Sequence, residues 1–183
     1  DDCIAIKSGR NNDGRRINVP SENIIVRNCV FKDGHGGITV GSECSGGFRN
    51  LFAENNKLDS PDLWTALRIK NNASRGGKIE NLYFRNITVG KVSRSAIEMD
   101  FNYEEGAKGE FTPIVRNFVV ENMTAQDCNR VVDLQGLDNA PLYDIVLKNC
   151  DFGIVTNANI VKNAKNIKLE NVKMNGKVVD KLG

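Results

Sequence analysis

Short runs of alternating apolar and polar residues recur along the whole chain, each bracketed by two polar residues five positions apart. Six segments carry the pattern: ENIIVRNCVF, FRNLFAENNKL, IENLYFRNITV, VRNFVVENMTA, LYDIVLKNCDF and AKNIKLENVKM. Their brackets are Asn23 and Asn28, Asn50 and Asn55, Asn81 and Asn86, Asn117 and Asn122, Asp144 and Asn149, and Asn166 and Asn171. Alternation is the period of a strand with one face buried. Asn and Asp tolerate the left-handed backbone of a bend, so each bracket predicts a strand that ends at a corner.

A second short alternating run follows each of these strands, giving GITVGSE, ALRIKNN, AIEMDFN, VVDLQG and NIVKNA, with CIAIKSG as the earliest member. Two strands therefore recur per unit, and the units repeat every 22 to 36 residues. Leucine-rich-repeat spacing is missing, and no segment keeps a helical period. The pattern predicts an all-β solenoid, a right-handed parallel β-helix of about six coils forming one domain over residues 1–183. Coils of this kind stack at about 4.8 Å, so equivalent positions fall into columns. Asparagines in one column then hydrogen-bond along the stack.

Aligning the second strands stacks Ile4 and Ile6 on Ile38 and Val40, then on Leu67 and Ile69, Ile97 and Met99, and Val132 and Leu134. All of these face inward. Their neighbours face outward, so Arg68 and Lys70 project from one rung while Glu98 and Asp100 project from the next. Asp1 stands three residues before Ile4 and His35 three before Ile38, which puts them in one column. Strict alternation points Asp2 inward with Ile4, where an unpaired carboxylate is not tolerated. The backbone is expected to bend there and turn both acids toward solvent or a groove.

Composition agrees with a folded chain that buries one core, at 40% hydrophobic and 26% charged residues. No apolar run reaches the roughly 20 residues that span a bilayer, so no membrane partner is implied. A net charge of +2 gives no ground for a nucleic-acid partner. The cysteines at 3, 29, 44, 128 and 150 lack the paired spacing of a structural zinc site. Single buried thiols are the plain expectation, with a disulfide from Cys3 to Cys29 or Cys44 as the alternative. Glu98, Asp100 and Asp133 lie further along the Arg68 face but scatter, whereas calcium takes several converging oxygens. No metal or cofactor is expected.

Three stretches, DDCIAIKSG, DGHGGITVGSE and ALRIKNN, resemble the Asp-Asp, Gly-His-Gly and Arg-Ile-Lys signatures of the family 28 glycoside hydrolases, the polygalacturonases, which are parallel β-helices. The motifs occupy residues 1 to 70, and the repeat extends the resemblance over nearly the whole chain. It implies inverting acid/base hydrolysis of α-1,4-galacturonosyl linkages, with an acidic polysaccharide as the partner. Asp1 is then the general acid, Asp2 one of the carboxylates that activate water, and His35 the group that orients Asp1. Clustered carboxylates resist ionising together, which is how one of them keeps a proton. Arg68 and Lys70 are expected to hold substrate carboxylates, and Tyr103, in MDFNY, to contact the sugar or to pack near Phe101.

The family pattern also carries a third aspartate, in an Asn-Thr-Asp motif about one coil before the Asp-Asp pair, and this sequence has no counterpart. The chain is accordingly expected to be the C-terminal part of a longer secreted or periplasmic enzyme, and to be inactive or nearly so alone. GSECSGG and LRIKNN followed by RGG look more like bacterial exo-acting members than fungal endo-acting ones. Against this stand a non-catalytic carbohydrate-binding β-helix and a rhamnogalacturonan-type hydrolase. The plain readings are a frayed acidic terminus for Asp1 and Asp2, and a solvated strand face for Arg68 and Lys70.

Overall fold

The computed structural model describes all 183 residues. Its elements are β1 (Ile4–Ile6), α1 (Asn11–Ile17), β2 (Ser21–Arg27), β3 (Val30–Phe31), β4 (Gly36–Gly41), β5 (Phe48–Leu58), β6 (Thr65–Lys70), β7 (Lys78–Asp100), β8 (Ile114–Gln135), β9 (Leu142–Val155), β10 (Ile160–Lys162), β11 (Ala164–Met174) and β12 (Lys177–Val179). Pairing is parallel from coil to coil, through β1-β4-β6-β7-β8-β9-β11 and β2-β5-β7. At the C-terminal end β12 folds back antiparallel on β11 and pairs with Val172, Lys173 and Met174. This is the expected parallel β-helix, and no helix in it is long and apolar enough to cross a membrane.

The bracketing residues make the corners. All twelve sit in the left-handed region, with φ from 51° at Asn149 to 64° at Asn50. That conformation costs most residues about 1–2 kcal/mol, and Asn and Asp offset it with local hydrogen bonds. The long strands β7, β8, β9 and β11 run through these corners without losing their pairing.

Above the corners the amides form ladders. Asn50 donates to Asn23 at 2.9 Å, Asn81 to Asn50 at 3.0 Å and Asn117 to Asn81 at 2.8 Å. A second ladder joins Asn86 to Asn55 and Asn122 to Asn86, each at 3.0 Å. The first ladder stops at Asp144, which accepts from Asn166 but carries no amide with which to donate to Asn117.

The columns expected in the core are the columns observed. Ile4, Ile38, Leu67, Ile97 and Val132 are consecutive strand partners, as are Ile6, Val40, Ile69, Met99 and Leu134. From Ile38 onward these side chains are at most 1% exposed, and each contributes about 1.5–3 kcal/mol by burial. The opposite wall stacks Leu51, Leu82, Phe118 and Ile145.

The expectation of strands alone needs one correction. Residues 11–17 form α1, although they show no amphipathic period. The short helix is held from outside, by Arg15 Nη1 donating to the carbonyls of Ser74 and Arg75 and by its guanidinium lying 3.4 Å over Phe111. All five cysteines are free thiols, with Cys44, Cys128 and Cys150 buried and Cys3 and Cys29 partly so, and the alternative of a Cys3 disulfide gives way to a bond from Cys3 Sγ to the Asp33 carbonyl at 3.1 Å. Burial pushes the Cys44 thiol up to about 12, so that residue behaves as a small apolar side chain.

Candidate active site

Columns bring the sequence motifs together on one wall. Asp1 and Asp2 lead into β1, His35 precedes β4, Arg68 and Lys70 lie on β6, and Tyr103 lies in the turn after β7. His35 N donates to Asp1 O at 3.0 Å, and its Nδ1 lies 3.9 Å from Asp1 Oδ1. Lys70 Nζ donates to Asp2 Oδ2 at 2.7 Å, and Arg68 Nη1 stands 3.5 Å from Asp2 Oδ1. Tyr103 places its ring 5.2 Å from Lys70 Nζ and 5.9 Å from the Arg68 guanidinium. All six residues therefore meet.

The two acids have opposite surroundings. Asp1 has a side chain that is 94% exposed, whereas that of Asp2 is 2% exposed. Of the two acids expected to face solvent or a groove, only Asp1 is open to solvent; the bend turns Asp2 onto the wall between Lys70 and Arg68. Burial alone would raise the Asp2 carboxyl, but the hydrogen bond and charge of Lys70 and the charge of Arg68 outweigh it. Asp2 is held below the usual carboxylate range. Its Oδ1 accepts no hydrogen bond.

Arg68 and Lys70 are not a solvated strand face, being 8% and 7% exposed. Arg68 Nε donates to Glu98 Oε1 at 2.6 Å, and Thr65 Oγ1 donates to Glu98 Oε2 at 3.3 Å. The two cations thus neutralise Asp2 and Glu98 within the protein. Gly36 makes this crowding feasible. A Cβ there would stand 2.2 Å from Thr39 Oγ1, 2.9 Å from Asp2 Oδ1 and 3.1 Å from Arg68 Cδ. Its bare backbone leaves room for the site's own side chains to converge.

Tyr103 is held through its backbone by a partly buried network. Asn72 Nδ2 donates to Tyr103 O at 2.9 Å and to Glu105 Oε2 at 2.7 Å. Arg75, 1% exposed, reaches Glu104 at 2.8 Å and Glu105 at 3.4 Å.

Residues missing from the sequence reading complete the wall. Trp64 stacks on His35, with ring centroids 3.9 Å apart and 12° between planes, and Arg94 lies 3.9 Å over the same indole. Both sit three residues before the first core residue of their rung, Leu67 and Ile97, the offset that pairs Asp1 with His35. Extending that rule by two coils finds them. Beyond them an open groove of about 520 Å³ runs along the stack, walled by Arg68, Arg94, Asp100, Tyr103, Arg130 and Asp133 among others. Burial, together with the charges of Glu98 and Asp133, raises the Asp100 carboxyl above its ordinary value. Glu98, Asp100 and Asp133 do not converge as a cation cage; no cluster of three or more His, Cys, Asp or Glu side chains suits a metal ion.

Residues 1–175 match the family model described as Glycosyl hydrolases family 28. A probable polygalacturonase of Vitis vinifera is 26% identical over 163 residues, covering 86% of this chain and 33% of its own length. The exo-poly-alpha-D-galacturonosidase of Dickeya chrysanthemi is 28% identical over 145 residues, covering 74% of this chain and 24% of its own. The crystal structure of an exopolygalacturonase from Thermotoga maritima superposes with a TM-score of 0.90 at 37% identity, covering 96% of this chain and 39% of that one. The chain thus spans about a third or less of the curated relatives it matches.

Proposed function

The chain belongs to glycosyl hydrolase family 28, and we propose that the protein carrying it hydrolyses α-1,4-linked galacturonan with inversion at the anomeric carbon. The observation that carries this reading is the unequal placing of two adjacent carboxylates. Asp2 is buried and held charged by Lys70 and Arg68, while Asp1 stands open beside His35. Such a split gives the two carboxylates different work: Asp2 stays ionised and can receive a proton, while Asp1 is open to reach a leaving oxygen.

In this reading the proton of Asp1 passes to the glycosidic oxygen as the bond to C1 breaks. Water adds to C1 from the opposite face, and its proton goes to the charged carboxylate of Asp2. Inverting enzymes separate acid and base by about 6.5–9.5 Å so that the water fits between them. His35, gripped by Trp64, orients Asp1. Arg68 and Lys70 keep Asp2 ionised and present donors to a substrate carboxylate, Arg68 as a planar fork and Lys70 as a point charge. Tyr103 borders the same space. A polymeric pectic substrate lies outside the cell, so the reading implies a secreted or periplasmic protein.

Release of reducing ends from polygalacturonate, with chelator present, tests the activity in the protein at its full natural length. Asp1→Asn is expected to lower kcat by about 10²-fold or more with KM changed only a few-fold. Equal loss in binding and turnover would contradict its role as the acid.

A further inference from the structure

The wall holds one guanidinium that the assignments above leave without work. Of the three arginines lining the groove, Arg68 pairs with Glu98 and Asp2 and already serves the first substrate carboxylate, and Arg130 pairs with Asp133 at 3.3 Å and donates to the Ala158 carbonyl. Arg94 enters none of the ion pairs around it. Its guanidinium carbon lies 3.9 Å from the centroid of the Trp64 ring, a cation–π contact that holds the charge beside the groove both residues line.

Its position follows from the coil. Backbone bonds run from His35 N to Asp1 O, from Trp64 N to His35 O and from Arg94 N to Trp64 O, at 3.0, 3.1 and 2.9 Å. Arg94 therefore stands three coil steps from Asp1, about 14 Å along the stack at ~4.8 Å per step. It is one coil beyond Arg68, whose strand partner Glu98 shares its rung. The groove crosses three successive coils, with Trp64 and Arg68 on one, Arg94 and Asp100 on the next, and Arg130 and Asp133 on the third. A chain lying along it passes Arg68 and Arg94 in turn.

The geometry points to Arg94, planted on Trp64, as the fork for a second substrate carboxylate, one sugar or more away from the unit held at Arg68 and Lys70. This rests on the galacturonan reading and deepens it. The protein would then recognise consecutive charged uronates, and a polymer with its carboxyls masked as methyl esters would lose the contact. Trp64 is the positioning residue for this fork. Its two faces are occupied by His35 and Arg94, so it is not a platform for a sugar ring.

The test compares kcat/KM on polygalacturonate with kcat/KM on the same polymer partly methyl-esterified, using the protein at its full natural length. Arg94→Gln is expected to raise KM on the free acid by about tenfold or more and to bring the ratio between the two substrates toward one. Trp64→Leu, which frees the fork without removing its charge, is expected to move the ratio the same way, with Trp64→Phe restoring part of it. An unchanged ratio in Arg94→Gln overturns the proposal, as does a KM that rises equally on both substrates. If the wild type releases reducing ends from neither polymer, the galacturonan reading itself fails. The subsite is then decided by titrating tetragalacturonate into wild type and Arg94→Gln: equal affinity rejects it and a tenfold loss supports it.

Discussion

Lys70 Nζ donates to Asp2 Oδ2 across 2.7 Å although 68 residues separate them in the chain. Two coils of solenoid bring the pair together, and both side chains are under 10% exposed. Replacing Lys70 by Met leaves a buried carboxylate without its main partner, and breaking a pair of this kind costs about 3–5 kcal/mol. The sign of the pH effect follows from the lowered Asp2 carboxyl. Its pairing stabilises the fold above the ordinary carboxylate value and is lost as pH falls through the lower folded value. Lys70→Met is therefore expected to lower Tm strongly at pH 7 and progressively less as pH falls below the ordinary carboxylate value, and to move the acid limb of the pH–rate profile upward. Asp2→Asn with Lys70→Met is expected to be less damaging than the two single changes added together.

Asp100 behaves in the opposite sense. Burial and the nearby charges of Glu98 and Asp133 raise its carboxyl, so the native state favours the protonated form. Its ionisation costs stability as pH rises through the ordinary carboxylate value to the raised folded one, and that cost is absent in acid. Asp100→Asn keeps an oxygen for the 2.7 Å bond from Asn102 N. It is expected to raise Tm at pH 7 and to leave it nearly unchanged at pH 3, measured by thermal melts at the two values.

Asp144 interrupts the amide ladder between Asn117 and Asn166. Its φ of 58° is that of the asparagines in its column, so a left-handed corner is retained when the residue changes. Asp144→Asn supplies the donor that Asn117 lacks while keeping an oxygen for Asn166. One additional hydrogen bond of this type is worth about 0.5–1.5 kcal/mol, and chemical denaturation is expected to show a gain of that order. Asn81→Ala, which removes a rung bonded on both sides and strains a left-handed corner, is expected to lose more than that.

Most of the fold was legible because a parallel solenoid converts sequence period directly into space. Bracketing asparagines fix the corners, corners fix register, and register fixes the columns of Ile38, Leu67, Ile97 and Val132. The meeting of Asp1 with His35 came from the same counting. What the period does not encode is how far each outward side chain is covered. Arg68 and Lys70 read as exposed by alternation, yet they are buried by the acids beside them and the turn carrying Tyr103. Helix α1 was illegible for a related reason, since Arg15 holds it through carbonyls 59 and 60 residues away. Trp64 and Arg94 continue the column of Asp1 and His35, so the same count reaches them.

In the proposed reaction Asp1 and Asp2 act from opposite sides of a galacturonosyl linkage, one as acid and one as base. The most direct measurement is proton NMR of the first sugar anomer released from polygalacturonate by the protein at its full natural length, recorded before mutarotation. Inversion gives a β-configured reducing end from the α-linkage. An α-configured first product, or an unsaturated one, would contradict it.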